Sequence, residues 1–290
     1  QTVNGVYPRN SVTVSTTGVV TGKEEGSYNG NGVTVVNEYG GDLTISVASV
    51  MGGGNGTAIA ARGLNNSGAL YIKATGAVGV ETAKTNATGI SAYNRGTDLT
   101  ISAATVMNGI KAESKGSGAL SIKATGEVTT SINVRQYQYG TSLTIDAAKV
   151  SGIISARNDG MGALLITASD DVTNQLGDAI YARNEGTALT ISATAVTGNA
   201  YGINATNNGS GALSITATGA VTGTQGRGIN AVNEGTSLTI SAASVSGKDI
   251  GIFAENEGSG PLSITVSGAV SASDVWSYGI KSASGSGDAV

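Results

Sequence analysis

The chain has 290 residues, with 16 basic and 20 acidic residues for a net charge of −4, 45 glycines, 2 prolines, and no histidine or cysteine. That excludes Ser-His-Asp and Cys-His catalysis, zinc sites built on His or Cys, and disulfide staples, and the acidic balance speaks against a general nucleic-acid binder. Charged residues make up 12% of the chain, about half the usual share, while the β-branched content is too high for disorder. No apolar run approaches the roughly 18 residues of a membrane span. A cysteine-free chain can cross an oxidising compartment without becoming cross-linked. One that opens at Gln1 reads as processed or trimmed.

Along the chain an L-x-I triplet returns at Leu43, Leu70, Leu99, Leu120, Leu143, Leu164, Leu189, Leu213, Leu238 and Leu262, with Val12–Val14 as an earlier copy. The spacings of 21 to 29 residues are those of stacked repeats. Residues 1–30 therefore read as an N-terminal cap and first rung. Residues 31–290 read as repeats that stop inside a rung, after Ile280.

Each repeat holds three short segments of alternating polarity: I-x-A-x-N (Ile229 to Asn233), L-T-I-S-A, and a clipped A-x-V ending near Gly. Period 2 means strands, with Ile, Ala, Leu and Val on one side and Ser, Thr and charged residues on the other. Helix fails as an alternative, because no 3.6 periodicity is present and glycines interrupt every dozen residues. Three strands per turn of roughly 24 residues give a parallel β-helix. About eleven rungs at roughly 4.8 Å make a rod of roughly 50 Å.

The asparagine ending the first strand recurs as Asn37, Asn94, Asn158, Asn184, Asn207, Asn233 and Asn256, with Ser114 in its place once. Asparagine tolerates left-handed geometry at a bend, and its amide can bond to its copies on neighbouring rungs, so a structural ladder is expected. A second period overlies the first. N-E-G-T-x-L-T-I-S (Asn184, Asn233) alternates with N-x-G-S-G-x-L-S-I-T (Asn207, Asn256), one residue longer at the turn.

The outward residue before the asparagine runs Val36, Arg62, Tyr93, Glu113, Arg135, Arg157, Arg183, Thr206, Val232 and Glu255. Three consecutive arginines stacked this closely repel by about 1 kcal/mol per pair in water. With Tyr137, Tyr139 and Tyr181, and with Lys111 on the neighbouring column, they form the candidate ligand site, suited to an acidic sugar or sulfate. The competing reading is a solvated face whose arginines pair with Glu113 or Asp159.

The connection from third to first strand is long at 21–32, 79–89, 173–179 and 271–279. It is very short at 107–109, 129–131 and 151–153, which predicts a shallow saddle there. The second strand's outward pairs (Thr44/Ser46, Thr100/Ser102, Thr190/Ser192, Ser214/Thr216, Thr239/Ser241, Ser263/Thr265) make a hydroxyl array like that of ice-binding solenoids. It is interrupted at Tyr71/Lys73, Ser121/Lys123, Asp146 and Leu165. A β-helix enzyme needs gathered carboxylates, and Asp146, Asp170–Asp171 and Asp178 are the candidates. None recurs with a basic partner. No catalytic residue, metal or cofactor is expected.

The iterated GTSLTISAASVSG and GSGALSITATGAVTG resemble the passenger domains of bacterial autotransporters over roughly residues 30–290. The resemblance implies a single right-handed parallel β-helix, all-β. It also implies display at the bacterial cell surface or secretion, with membrane attachment only through a C-terminal barrel absent from this sequence. The expected function is that of an adhesin or self-association passenger binding a host glycan, a matrix protein or another copy of itself, with no nucleic-acid partner. The alternatives are a carbohydrate-active β-helix enzyme or a phage tailspike-like fibre and, behind these, an ice-binding solenoid.

Overall fold

The computed structural model describes residues 10–22, 30–65, 68–80 and 87–285. The connections expected at 21–32 and 79–89, and most of the N-terminal cap, lie largely outside the described residues. Every regular element among them is a β-strand, and the 26 strands join into one parallel sheet wound into a solenoid.

Like pairs with like. Leu43 is in register with Leu70, Leu70 with Leu99, Leu99 with Leu120, and Leu120 with Leu143. The same register continues through Leu164, Leu189, Leu213, Leu238 and Leu262. Val12 pairs with Leu43, so the triplet at Val12–Val14 does belong to the solenoid. The third strand stacks a valine on each rung, from Val50 and Val78 to Val221 and Val245. One continuous core of Leu, Ile, Val and Ala fills the rod, with most of its members fully buried. Burial is worth about 1.5–3 kcal/mol per large aliphatic side chain. It also fixes the register, since a slip of one residue would turn each apolar row to solvent.

The two corners flanking the first strand differ. At the corner from third to first strand, the strands Val128–Gln136 and Val150–Asn158 pass through without a break. The short connections expected there are present. The bend is taken by backbone in the left-handed region: Asn108 at φ 65°, Gly109 at φ 78° and Thr130 at φ 78°. Threonine is uncommon in that region, where a β-branched side chain is strained. The Thr130 carbonyl oxygen lies 1.3 Å from where a Cβ on Gly152 would stand, so only glycine fits beside it.

At the corner from first to second strand the asparagines line the inside. Asn158 Nδ2 donates to Asn184 Oδ1 at 2.7 Å, Asn184 to Asn207 at 2.7 Å, Asn207 to Asn233 at 2.8 Å, and Asn233 to Asn256 at 2.7 Å. Each also holds a carbonyl of its own turn, as Asn158 holds Gly162 at 2.8 Å and Asn256 holds Gly260 at 2.7 Å. The ladder expected from the sequence is there, but its geometric reason is different. Positive φ at non-glycine residues falls at Asn65, Asn108 and Thr130 among the described residues, and at no ladder asparagine. These asparagines are the last residues of strands. Extended backbone is what keeps their amides pointing inward, and the bend follows them.

The ladder has more exceptions than Ser114. Gly63 pairs with Asn37 and Asn94, and Gln136 pairs with Ser114 and Asn158, so both occupy ladder positions. That register settles the segment around Gln136 and keeps Arg135 in the outward column.

Replacing Asn207 by Ala strips a hydrogen-bond partner from Asn184, Asn233 and the Gly211 carbonyl. Each bare buried group costs about 1–3 kcal/mol. The urea midpoint of Asn207→Ala is expected to fall by the equivalent of at least about 2 kcal/mol. Thr206→Ala, one residue earlier and outward, should stay within about 0.5 kcal/mol of the parent.

Candidate binding site

The outward column forms as the spacing predicts. Arg62 stands beside Tyr93, Tyr93 beside Glu113, Glu113 beside Arg135, Arg135 beside Arg157, and Arg157 beside Arg183. Backbone pairing also runs one residue past the ladder. The amides of Arg95, Lys115, Tyr137, Asp159 and Glu185 donate to the rung before, at Gly63, Asn94, Ser114, Gln136 and Asn158. A second outward column therefore stands at the start of the turn, and it decides what the first can do.

Asp159 sits between two arginines. Arg135 Nε and Nη2 reach its Oδ2 at 2.8 and 2.7 Å, and Arg157 Nε reaches its Oδ1 at 2.6 Å. Arg183 Nε donates to Glu185 Oε1 at 2.7 Å. This is the pairing across the turn that relieves the repulsion between stacked guanidinium groups. Burial pushes the Asp159 carboxyl up, but the hydrogen bonds from Arg157 and Arg135 outweigh it and hold it below its ordinary value. Donating to Asp159 in turn raises Arg135, and donating to Glu185 raises Arg183.

Toward the N-terminus the same corner is cationic and aromatic. Arg62 and Arg95 lie 5.6 and 5.8 Å from the Tyr93 ring centre, and Arg95 Nε donates to the Tyr93 hydroxyl at 2.6 Å. Lys115 Nζ lies 4.7 Å from the Tyr137 ring centre and Arg135 4.3 Å from it. Rings between cations let like charges stand on adjacent rungs, at about 0.5–1 kcal/mol per contact in solvent. Among the described residues Arg62, Arg95 and Lys115 form no ion pair with a carboxylate.

Two shallow hollows of about 540 and 300 Å³ open here and share Lys115 and Tyr139. Arg135, Tyr137, Gln138 and Asp159 complete the larger, and the turn beginning at Arg95 the smaller. Their shape comes from turn length. Six residues separate Gln136 from Leu143, against four between Asn94 and Leu99. Gly140 N bonds back to Tyr137 O at 2.9 Å, and Thr141 N rejoins the stack at Gly118 O. The extra residues are pushed outward, leaving Tyr139 63% exposed.

Of the sequence-predicted residues, Arg135, Tyr137 and Tyr139 are brought together. Arg157 and Arg183 lie one and two rungs further on, Arg157 sharing Asp159 with Arg135 and Arg183 paired with Glu185. Tyr181 and Lys111 occupy the other outward column, and Lys111 pairs with Glu113 at 3.7 Å. Lys115, Arg95 and Gln138, which also line the hollows, are not among the residues the sequence reading assigns to the site. Reading the residue after the ladder as well as the one before it would have found the first two. The hollows also lie at the corner opposite the saddle expected at 107–109, 129–131 and 151–153.

The candidate carboxylates stay apart. Asp146 pairs with Lys123 at 3.3 Å, and Asp178 accepts from the Tyr201 amide at 3.1 Å and from Asn204 Nδ2 at 2.9 Å. Asp170 accepts from the Asp171 amide at 2.8 Å, as a turn residue does. Compared with protein-family models, curated proteins and solved structures, the chain matches none.

The depressed Asp159 carboxyl contributes stability that is present above its unfolded value, near 3.9, and is lost as pH falls through the lower folded value. The parent's urea midpoint should hold from neutral pH to about 5 and drop below about 4. Asp159→Asn should lower the midpoint at neutral pH and make the drop between about pH 4 and 2 smaller.

Proposed function

We propose that this chain is a binding passenger of the autotransporter kind: a surface-displayed or secreted solenoid that acts by adhesion rather than by catalysis. The observation that carries this reading is the corner groove, where Arg95 and Lys115, which among the described residues form no ion pair with a carboxylate, and the exposed Tyr139 are held on three consecutive rungs of a rigid scaffold. Binding residues placed on turns of a regular framework are how solenoids present ligand sites. The repeated GTSLTISAASVSG and GSGALSITATGAVTG blocks support the autotransporter likeness. A host glycan or matrix component is the expected partner.

Self-association is the second reading, and a separate feature favours it. The same corner that is cationic at Arg62, Arg95 and Lys115 becomes acidic at Glu234, Glu255 and Glu257. Two copies laid antiparallel would match opposite signs. Steering of this kind weakens with ionic strength.

Beads coated with the purified chain should adhere to cultured epithelial monolayers. Beads carrying Arg95→Glu/Lys115→Glu should lose most of that adhesion. Adhesion by neither kind of bead contradicts the adhesin reading, and equal adhesion by both moves the binding surface away from this corner. A salt-sensitive dimer in sedimentation velocity, with no cell adhesion, moves the function to self-association.

A further inference from the structure

The groove's chemistry specifies a class of ligand, resting on the reading of the chain as a binder. Arg62, Arg95 and Lys115 occupy three successive rungs at roughly 4.8 Å per rung, Arg95 and Lys115 in the column after the ladder and Arg62 in the column before it, so their charges are spread along the solenoid axis. A compact anion would meet one or two of them. An unbranched polymer carrying acidic groups along its length meets them all.

The Arg95 side chain is oriented for such a partner. Its Nε is taken by the Tyr93 hydroxyl, which leaves the terminal guanidinium nitrogens to bind a sulfate or carboxylate. The neighbouring aromatic pair is already engaged by cations: Tyr93 by Arg62, Arg95 and Lys115, and Tyr137 by Lys115 and Arg135. Tyr139 is different. It borders both hollows, stands mostly in solvent, and among the described residues has no cation over its ring. An exposed ring beside a lysine suits the apolar face of a sugar whose substituent is acidic.

Nucleic acid fits less well. One open ring offers no series of stacking platforms for successive bases.

We infer that the corner formed by Arg62, Arg95, Lys115 and Tyr139 binds a linear anionic polysaccharide lying along the solenoid axis, with its acidic groups on these cations and one sugar ring on Tyr139. The ligand runs N-terminally from Tyr139, because beyond it Arg135, Arg157 and Arg183 are already engaged by Asp159 and Glu185. Sulfate and carboxylate share this chemistry, and the choice of probe separates them.

Binding of the full chain would be measured by isothermal titration against heparin fragments (sulfated), hyaluronan fragments (carboxylated), dextran fragments (neutral) and a single-stranded oligothymidylate, at low and physiological salt. At least one acidic glycan should bind, less tightly at the higher salt, while dextran does not. Arg95→Ala/Lys115→Ala should weaken that binding by about tenfold or more. Tyr139→Ala should weaken it several-fold. Arg183→Ala should leave it unchanged, and matching thermal melts would show that each variant is folded.

Three results overturn the inference: no acidic glycan binds, the oligothymidylate binds as tightly as the glycan, or Arg183→Ala weakens binding as much as the double variant. Bead adhesion to cells separates the two levels of the account. Adhesion that persists without acidic-glycan binding removes the ligand class alone, whereas loss of both removes the adhesin reading with it.

Discussion

Everything in this molecule depends on in-register parallel stacking. Each strand places a Leu, Ile, Ala, Val or Asn on top of its own copy in the next rung, and no rung can bury its apolar face alone. Register then propagates outward, because inward and outward residues alternate on one backbone. The apolar rows inside dictate that Arg62, Tyr93, Glu113, Arg135, Arg157 and Arg183 must share a line outside. The stacked arginines are thus a geometric consequence of the core. Asp159 and Glu185 are the response to it.

The asparagine ladder adds a polar rail to this stack. Burying amides without partners would be costly, yet a full ladder satisfies each amide by its neighbours and ties every turn to the strand before it. The rail is continuous from Asn158 to Asn256 and fails at Ser114 and Gln136. There the Ser114 hydroxyl and the Gln136 Oε1 are buried without a partner. Those two rungs carry Lys115 and Tyr137 directly outside. The longer side chain of Gln136 accompanies the longer turn that extrudes Gln138 and Tyr139, so the groove and the defect in the rail share a location. Local departures from an otherwise consistent pattern are where function is expected to sit.

The architecture was legible because it is repeated. Eleven copies of the L-x-I strand average out local ambiguity, and the inward alternation leaves one solution for face and register. The asparagine rail was legible for the same reason, although its backbone is extended rather than left-handed. The site was only partly legible. Arg135, Tyr137 and Tyr139 stood out as an odd segment, but Arg157 and Arg183 looked equivalent to Arg135 because a column carries no information about turn partners. What separates them is the residue after the ladder: Lys115 and Tyr137 on one side, Asp159 and Glu185 on the other. Gln136 in a ladder position was hidden too, since it departs from the asparagine that marks the rail. Turn shape set by two additional residues is a three-dimensional fact that alternation cannot show.

The most direct test is amide hydrogen exchange read by mass spectrometry, with and without the acidic oligosaccharide that binds best. The ladder strands should exchange slowly throughout, and ligand-dependent protection should be confined to the turns after Asn94, Ser114 and Gln136. Protection centred instead on the second strand's hydroxyl face, or on the long connection at 271–279, would contradict the account and place the binding surface elsewhere on the solenoid.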